Sequence, residues 1–210
     1  MTAVICPTVT AFDLHEYRRQ LDVASGLSSR VHIDLMDGVL APSISPELSR
    51  IWLPSEAVAD IHLMYKKPME QIDDLLRLKP YMVIIHAEAE VHHMQFAGEL
   101  HKNGIKAGLS ILQDTPVKNI NQIMHSFDHI LVFSGNLGHH GGEADLSLLN
   151  KVTEIRNEFS DVEVSWDGGI SADNARQLVD GGIDVLNVGG FIQKAQDPTK
   201  AYQQISDALL

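Results

Sequence analysis

An alternation of short β-branched runs with amphipathic segments predicts an α/β protein for this 210-residue chain, a (β/α)8 TIM barrel. Two further observations favour a closed barrel over an open sheet. The alternation recurs eight times, where an open flavodoxin-like sheet uses about five strands. It also runs without a linker, a low-complexity stretch or a charge block, so residues 1–210 read as one domain.

Apolar runs suited to buried parallel strands occupy 3–9, 30–36, 58–64, 81–87, 105–111, 129–134, 162–167 and 184–189. The segments between them carry apolar residues three and four apart. Leu14, Tyr17, Leu21 and Ala24 make one stripe across 13–25. Over 46–54, Pro46 and Pro54 leave little room, and the second helix is the weakest. In 68–78, Pro68 suits a first helical turn, and Ile72, Leu75 and Leu76 face inward. Asp114 or Thr115 can cap a helix opening with Pro116. Leu148, Leu149, Val152, Ile155 and Phe159 mark 145–159. Ser171 is a candidate cap for 172–181, and Asp197 for the helix that opens with Pro198.

Composition narrows the function. A formal net charge of −12 argues against nucleic acid and against an anionic membrane surface as partners. The N-terminus lacks a basic segment followed by a long apolar one, and no run of 18 apolar residues occurs, so the reading is a cytoplasmic, soluble protein. The single cysteine, Cys6, excludes an intrachain disulfide and is read as a small buried apolar residue of the first strand.

Four residues carry the chemistry. His32 and Asp34 stand in Val31-His-Ile-Asp-Leu-Met-Asp-Gly38, His62 in Asp60-Ile-His-Leu-Met64, and Asp167 in Trp166-Asp-Gly-Gly-Ile170. Each lies near the C-terminal end of a strand-like run, the end at which barrel enzymes build their sites. Strand alternation puts His32, Asp34 and Met36 on one face, His62 and Met64 on another, and Asp167 with Ser165 on a third, which turns Trp166 toward the helices. A buried pair of aspartates is costly without a compensating cation, so a divalent metal site held by His32, Asp34, His62 and Asp167 is expected. Mixed imidazole and carboxylate donors suit zinc, iron, manganese or cobalt and do not choose among them.

The segments around these residues resemble the three main motifs of the ribulose-phosphate 3-epimerases. Further pieces match in the same order: Cys6-Pro-Thr8, Ala41-Pro-Ser43, Ile85-His-Ala-Glu88, Lys106-Ala-Gly-Leu109 with Thr115-Pro116, and Val188-Gly-Gly190. The resemblance implies a ribulose-phosphate-binding TIM barrel, a homo-oligomer, and a small-molecule sugar phosphate as the partner. It also implies one divalent metal ion on the four named ligands, with Asp34 and Asp167 doubling as the catalytic acid and base.

Epimerising a carbon beside a ketone requires removing its proton to give an enediolate and returning one to the opposite face. Two opposed carboxylates are therefore needed, one ionised and one protonated. Met36 and Met64 would offer an apolar cover over the intermediate, with core filling as the alternative. Thr8 is a candidate for a substrate hydroxyl or a water, with a satisfied strand-end hydroxyl as the alternative. His86 and Glu88 either support the ligands or are purely structural. Lysine and arginine are scarce near the site, so phosphate is expected on backbone N–H groups of Gly168 and Gly169, and of Gly189 and Gly190, ahead of a short helix near Phe191.

One loop departs from the family. Where the epimerases have Pro-Gly-Phe-Gly-Gly-Gln after the sixth strand, this chain reads Gly135-Asn-Leu-Gly-His-His-Gly-Gly142-Glu143, and Phe133 stands in the place of a methionine. Gly141 and Gly142 remain candidates for phosphate contacts, and His139 and His140 are read as exposed loop residues. Three functions stay open: a 3-epimerase interconverting D-ribulose 5-phosphate and D-xylulose 5-phosphate, the same chemistry on a hexulose 6-phosphate such as allulose 6-phosphate, and a sugar-phosphate-binding barrel without turnover.

Overall fold

The computed structural model describes residues 3–139 and 141–210. Eight parallel strands close into a barrel in chain order: β1 (Val4–Thr10), β2 (Arg30–Met36), β3 (Val58–Met64), β4 (Met82–His86), β5 (Lys106–Ile111), β6 (His129–Phe133), β7 (Glu163–Asp167) and β8 (Val185–Val188). All seven residues of β2 are buried, because each of its faces meets protein. Val31, Ile33 and Leu35 pack into the apolar layer beneath the helices, while Arg30, His32, Asp34 and Met36 point into the barrel.

Register brings the inward residues level. His32 pairs with Asp60, Asp34 with His62, and Met36 with Met64. Phe133 pairs with Asp167, and Asp167 with Asn187. The expected strand sites are thereby carried to one end of the barrel. Trp166, fully buried, faces the helix layer as its alternation requires. Cys6 is buried and free.

The helices are α1 (Leu14–Leu27), α2 (Ile72–Leu78), α3 (His93–Lys102), α4 (Asn121–Met124), α5 (Leu149–Glu158), α6 (Ala175–Asp180), α7 (Gly190–Gln193) and α8 (Pro198–Ala208). Asp13 caps α1 by accepting from the His15 and Glu16 amides, and Asp197 caps α8 by accepting from Lys200 N. The weak second helix shrinks to one 3-10 turn, Leu48–Arg50. Prolines at 46 and 54 bracket it and remove backbone donors. The segment is held instead by the Tyr17 hydroxyl, which donates to Trp52 O at 2.6 Å.

Two expected caps fall elsewhere. Neither Asp114 nor Thr115 caps a helix. Pro116 occupies the cap position of a 3-10 turn, and Thr115 Oγ1 donates to Glu88 instead. The helix expected from 172 starts at Ala175, behind a turn in which Asn174 Oδ1 accepts from Ser171 N at 2.9 Å. Among the described residues no helix is long and apolar enough to cross a membrane.

Candidate metal centre and substrate cavity

β2, β3 and β7 each deliver their inward side chains to the C-terminal mouth of the barrel. His32, Asp34, His62 and Asp167 are all buried, and one ligand atom from each lies within 4.8 Å of the others. His32 Nε2 is 3.3 Å from Asp34 Oδ1 and 3.6 Å from Asp167 Oδ2. His62 Nδ1 is 3.0 Å from Asp34 Oδ1 and 3.7 Å from Asp167 Oδ2. His32 Nε2 and Asp167 Oδ2 have no hydrogen-bond partner although both are buried. Orphaned donor atoms facing one point fit a cation, which would pair them all at once. The residues present therefore fit a divalent metal.

Burial and mutual charge shift the four groups in different directions: burial lowers His32, but Asp34 and Asp167 outweigh it and raise the group. Burial pushes both carboxyls up. At Asp34 burial is outweighed by the His32 ring nitrogen 3.3 Å away and the His62 contact at 3.0 Å, which hold the group well below the ordinary carboxylate range. At Asp167 the negative charge of Asp34 adds to burial, His32 and the Gly168 amide oppose only in part, and the group is raised. Burial also pushes His62 down to about 4 against the pull of Asp34, leaving the neutral imidazole that a ligand must be.

Support reaches the centre from two sides. Thr10 Oγ1 donates to Asp34 Oδ2 at 2.7 Å, and Thr10 is itself clamped by Gln20, whose side chain accepts from Thr10 N and donates to Thr10 O. On the other side His62 Nε2 lies 2.9 Å from His86 Nε2, and His86 Nδ1 lies 3.3 Å from Glu88 Oε2. With the His62 Nδ1 lone pair turned to the metal position, Nε2 carries the proton and donates to His86, whose Nδ1–H donates to Glu88. Glu88 also accepts from Leu112 N and from the Thr115 hydroxyl, which hold it in place. His86 thus touches His62 directly, and Glu88 reaches it only through His86.

Above the centre opens a cavity of about 470 Å³. Thr8, Met64, Gly141, Gly142, Gly168, Gly169, Gly189 and Gly190 line it, together with Asp34 and Asp167. Met36 is not among its lining residues: it packs behind Met64 with Ala41 and Leu137. At Gly168 and Gly169 φ is 109° and 71°, and a Cβ there would stand 2.2 Å from Gly135 N and 2.1 Å from Ala144 N. Only glycine permits that approach of the loop after β6. The same loop rests on Pro42 through Gly138. His139 is exposed at the rim and lines the cavity; His140 lies outside the described residues.

Thr10, Lys194 and Asn187 are among the lining residues that the sequence did not mark as site candidates. Thr10 was detectable from its alternation with Thr8. Lys194 brings a side-chain cation where backbone amides alone were expected, with its Nζ 3.6 Å from the point a Gly141 Cβ would occupy. It follows β8 by one short helix, and no motif flags it. Asn187 sits inside an apolar run and reads there as an interruption of the strand.

Comparison with known proteins follows the same lines. The model of the ribulose-phosphate 3 epimerase family matches residues 4–193. The ribulose-phosphate 3-epimerase of Mycobacterium leprae is 30% identical over 211 residues, covering 96% of this chain and 92% of that one. That of Bacillus subtilis is 26% identical, covering 96% and 97%. Among solved structures, 3-hexulose-6-phosphate synthase from Salmonella typhimurium superposes with a TM-score of 0.72 at 15% identity over 98% of both chains, a likeness of fold alone. Family model, end-to-end relatives and barrel agree, and the chain belongs to the ribulose-phosphate 3-epimerase family, whose members are isomerases.

Proposed function

We propose that this protein inverts C3 of a ketose phosphate, interconverting D-ribulose 5-phosphate and D-xylulose 5-phosphate. The observation that carries the reading is a pair of carboxylates, Asp34 and Asp167, that line one cavity and converge with His32 and His62. In one direction Asp34 takes the C3 proton, leaving the enediolate, and Asp167 returns a proton to the opposite face. In the other direction the roles exchange, as microscopic reversibility demands. His32, Asp34, His62 and Asp167 would hold a divalent zinc, iron, manganese or cobalt ion. What that ion supplies when bound is Lewis-acid stabilisation of negative charge on the ketose oxygens.

The remaining residues bind and exclude. Met64 and Phe133 provide apolar walls that keep water from the intermediate. The paired glycines at 141–142, 168–169 and 189–190 let backbone N–H groups approach the phosphate, and Lys194 is the one lysine or arginine among the described residues that line the cavity. The altered loop Gly135–Glu143 favours keeping a longer sugar, a hexulose 6-phosphate, as a second reading.

The test is solvent-deuterium exchange at C3, measured for the metal-loaded protein on ribulose 5-phosphate and on allulose 6-phosphate. Exchange into the pentulose at the higher kcat/KM supports the proposal. Preference for the hexulose moves the substrate, and no exchange into either leaves a binding barrel without turnover.

A further inference from the structure

Several buried side chains carry a polar atom without a partner, and three of them line the cavity: Asp167, Thr8 and Asn187. Asp167 is accounted for by the metal centre. Asn187 is not. It is 2% exposed, and both its amide oxygen and its amide nitrogen are unpartnered among the described residues. A buried amide left unpaired is destabilising, and a leucine of the same shape would avoid the penalty. Its neighbours on β8, Leu186 and Val188, are apolar and turn outward into the helix layer. Asn187 is thus an inward amide that the fold itself never uses.

Its place says what would use it. β8 lies between β7 and β1, with Asn187 paired to Asp167 on one side and to Cys6 on the other. Thr8, two residues beyond Cys6, brings its unpartnered hydroxyl to the same wall, where a Cβ on Gly189 would stand 3.6 Å from Thr8 Cβ. Just past the end of β8, two and three residues beyond Asn187, are Gly189 and Gly190, part of the proposed phosphate cradle. The amide therefore stands between the carboxylate that handles C3 and the turn that holds the phosphate.

We propose that Asn187 is a specificity residue that hydrogen-bonds the C4 hydroxyl of the ketose phosphate, the one hydroxyl between the reacting carbon and the phosphate-bearing carbon of a pentulose 5-phosphate. The amide offers donors and an acceptor, so it pairs with a hydroxyl in either sense, and Thr8 can complete the same contact from the adjacent strand. This assignment rests on the ketose-phosphate reading of the cavity and adds to it a residue that reads the sugar.

The experiment compares ribulose 5-phosphate with its 4-deoxy analogue, which keeps the C2 ketone, the C3 hydroxyl and the phosphate. Wild type is expected to prefer the 4-hydroxy sugar by about 10- to 100-fold in kcat/KM, the range that one well-made hydrogen bond to a buried amide supports. Asn187→Leu and Asn187→Ala should each lose most of that preference, by a fall on the natural sugar and none on the analogue. Asn187→Leu should melt no lower than wild type, since it removes an unpaired buried amide. A merely structural asparagine would change both sugars equally, and either that result or an undiminished preference overturns the proposal. If wild type exchanges the C3 proton of neither sugar, the functional reading falls and takes this inference with it. Exchange by wild type with equal rates on the two sugars removes this inference alone.

Discussion

The two ends of the barrel interior hold nearly the same residue types and come to opposite outcomes. At the N-terminal end, Arg30 Nε donates to Asp60 Oδ2 at 2.7 Å, and its two terminal nitrogens donate to Glu163 at 2.9 and 2.7 Å. His129 Nδ1 meets Glu163 Oε2 and its Nε2 meets Ser165 Oγ, each at 2.7 Å. At the C-terminal end two histidines and two aspartates converge with no guanidinium or ammonium among them. One cluster carries its own cation, Arg30, and serves as a structural plug; the other has the anions without a guanidinium or ammonium. A buried charge must be paired, so the missing partner has to be imported. That asymmetry separates a fold-holding network from a site, even though both are built of histidine and carboxylate, the first on β2, β3, β6 and β7 and the second on β2, β3 and β7.

The largest effect should come from the unfinished end. Asp34→Asn and Asp167→Asn are each expected to lower epimerisation by about a thousandfold, the worth of an acid or base in place. Retention of more than a few per cent of activity in either refutes the two-carboxylate assignment. At the finished end, Arg30→Met should leave the metal content unchanged and destabilise folding by about 3–5 kcal/mol, because Asp60 is left buried without its counter-charge. A denaturant midpoint equal to wild type would show that the plug is not held as described.

Metal loading sharpens the contrast further. A divalent ion at a hundred times its Kd should add about 2.7 kcal/mol of stability, a rise of roughly 5–10 °C in Tm. His32→Ala should abolish that rise. His86→Leu should weaken metal affinity by about 10- to 100-fold, read by titration calorimetry, through loss of the His62 orientation. Equal affinities in His86→Leu and wild type would make the His62–His86–Glu88 chain incidental.

The smallest effect is the acid response of the plug. Burial raises Glu163, but Arg30 and His129 outweigh it and hold the carboxyl well below its ordinary 4.5. Glu88 is similarly brought to about 2, burial opposed by bonds from His86, Thr115 and Leu112. Both groups bind protons more readily when unfolded. Their stabilisation is therefore fully present above about pH 5 and is lost as pH falls through 4 toward the folded values. Glu163→Gln should flatten that decline between pH 5 and 3, and a slope identical to wild type would remove Glu163 from the account.

Much of this was legible in the chain. The eight apolar runs marked the strands to within a residue or two, because a strand buried on both faces cannot hide its composition. His32, Asp34, His62 and Asp167 were legible because polar residues in such runs need a reason to be there. The weakness of the second helix was legible from Pro46 and Pro54, but the cap before Pro116 was misjudged, since the competing acceptor at Glu88 lies 27 residues away in sequence. Met36 and Met64 look alike in their motifs, yet packing behind Ala41 and Leu137 withdrew Met36 from the cavity wall.

The sequence by itself determined the barrel, its strands and the donor set, because periodicity and residue type are local properties that survive any arrangement of the rest. Tertiary structure alone decided which anions found a partner within the chain. Arg30 and Asp60 meet across 30 residues and Arg30 and Glu163 across 133, while Asp167 and Asn187 are set side by side by strand register. Pairing of buried charge depends on distance in space, so the line between a plug and a site is drawn only when the barrel closes.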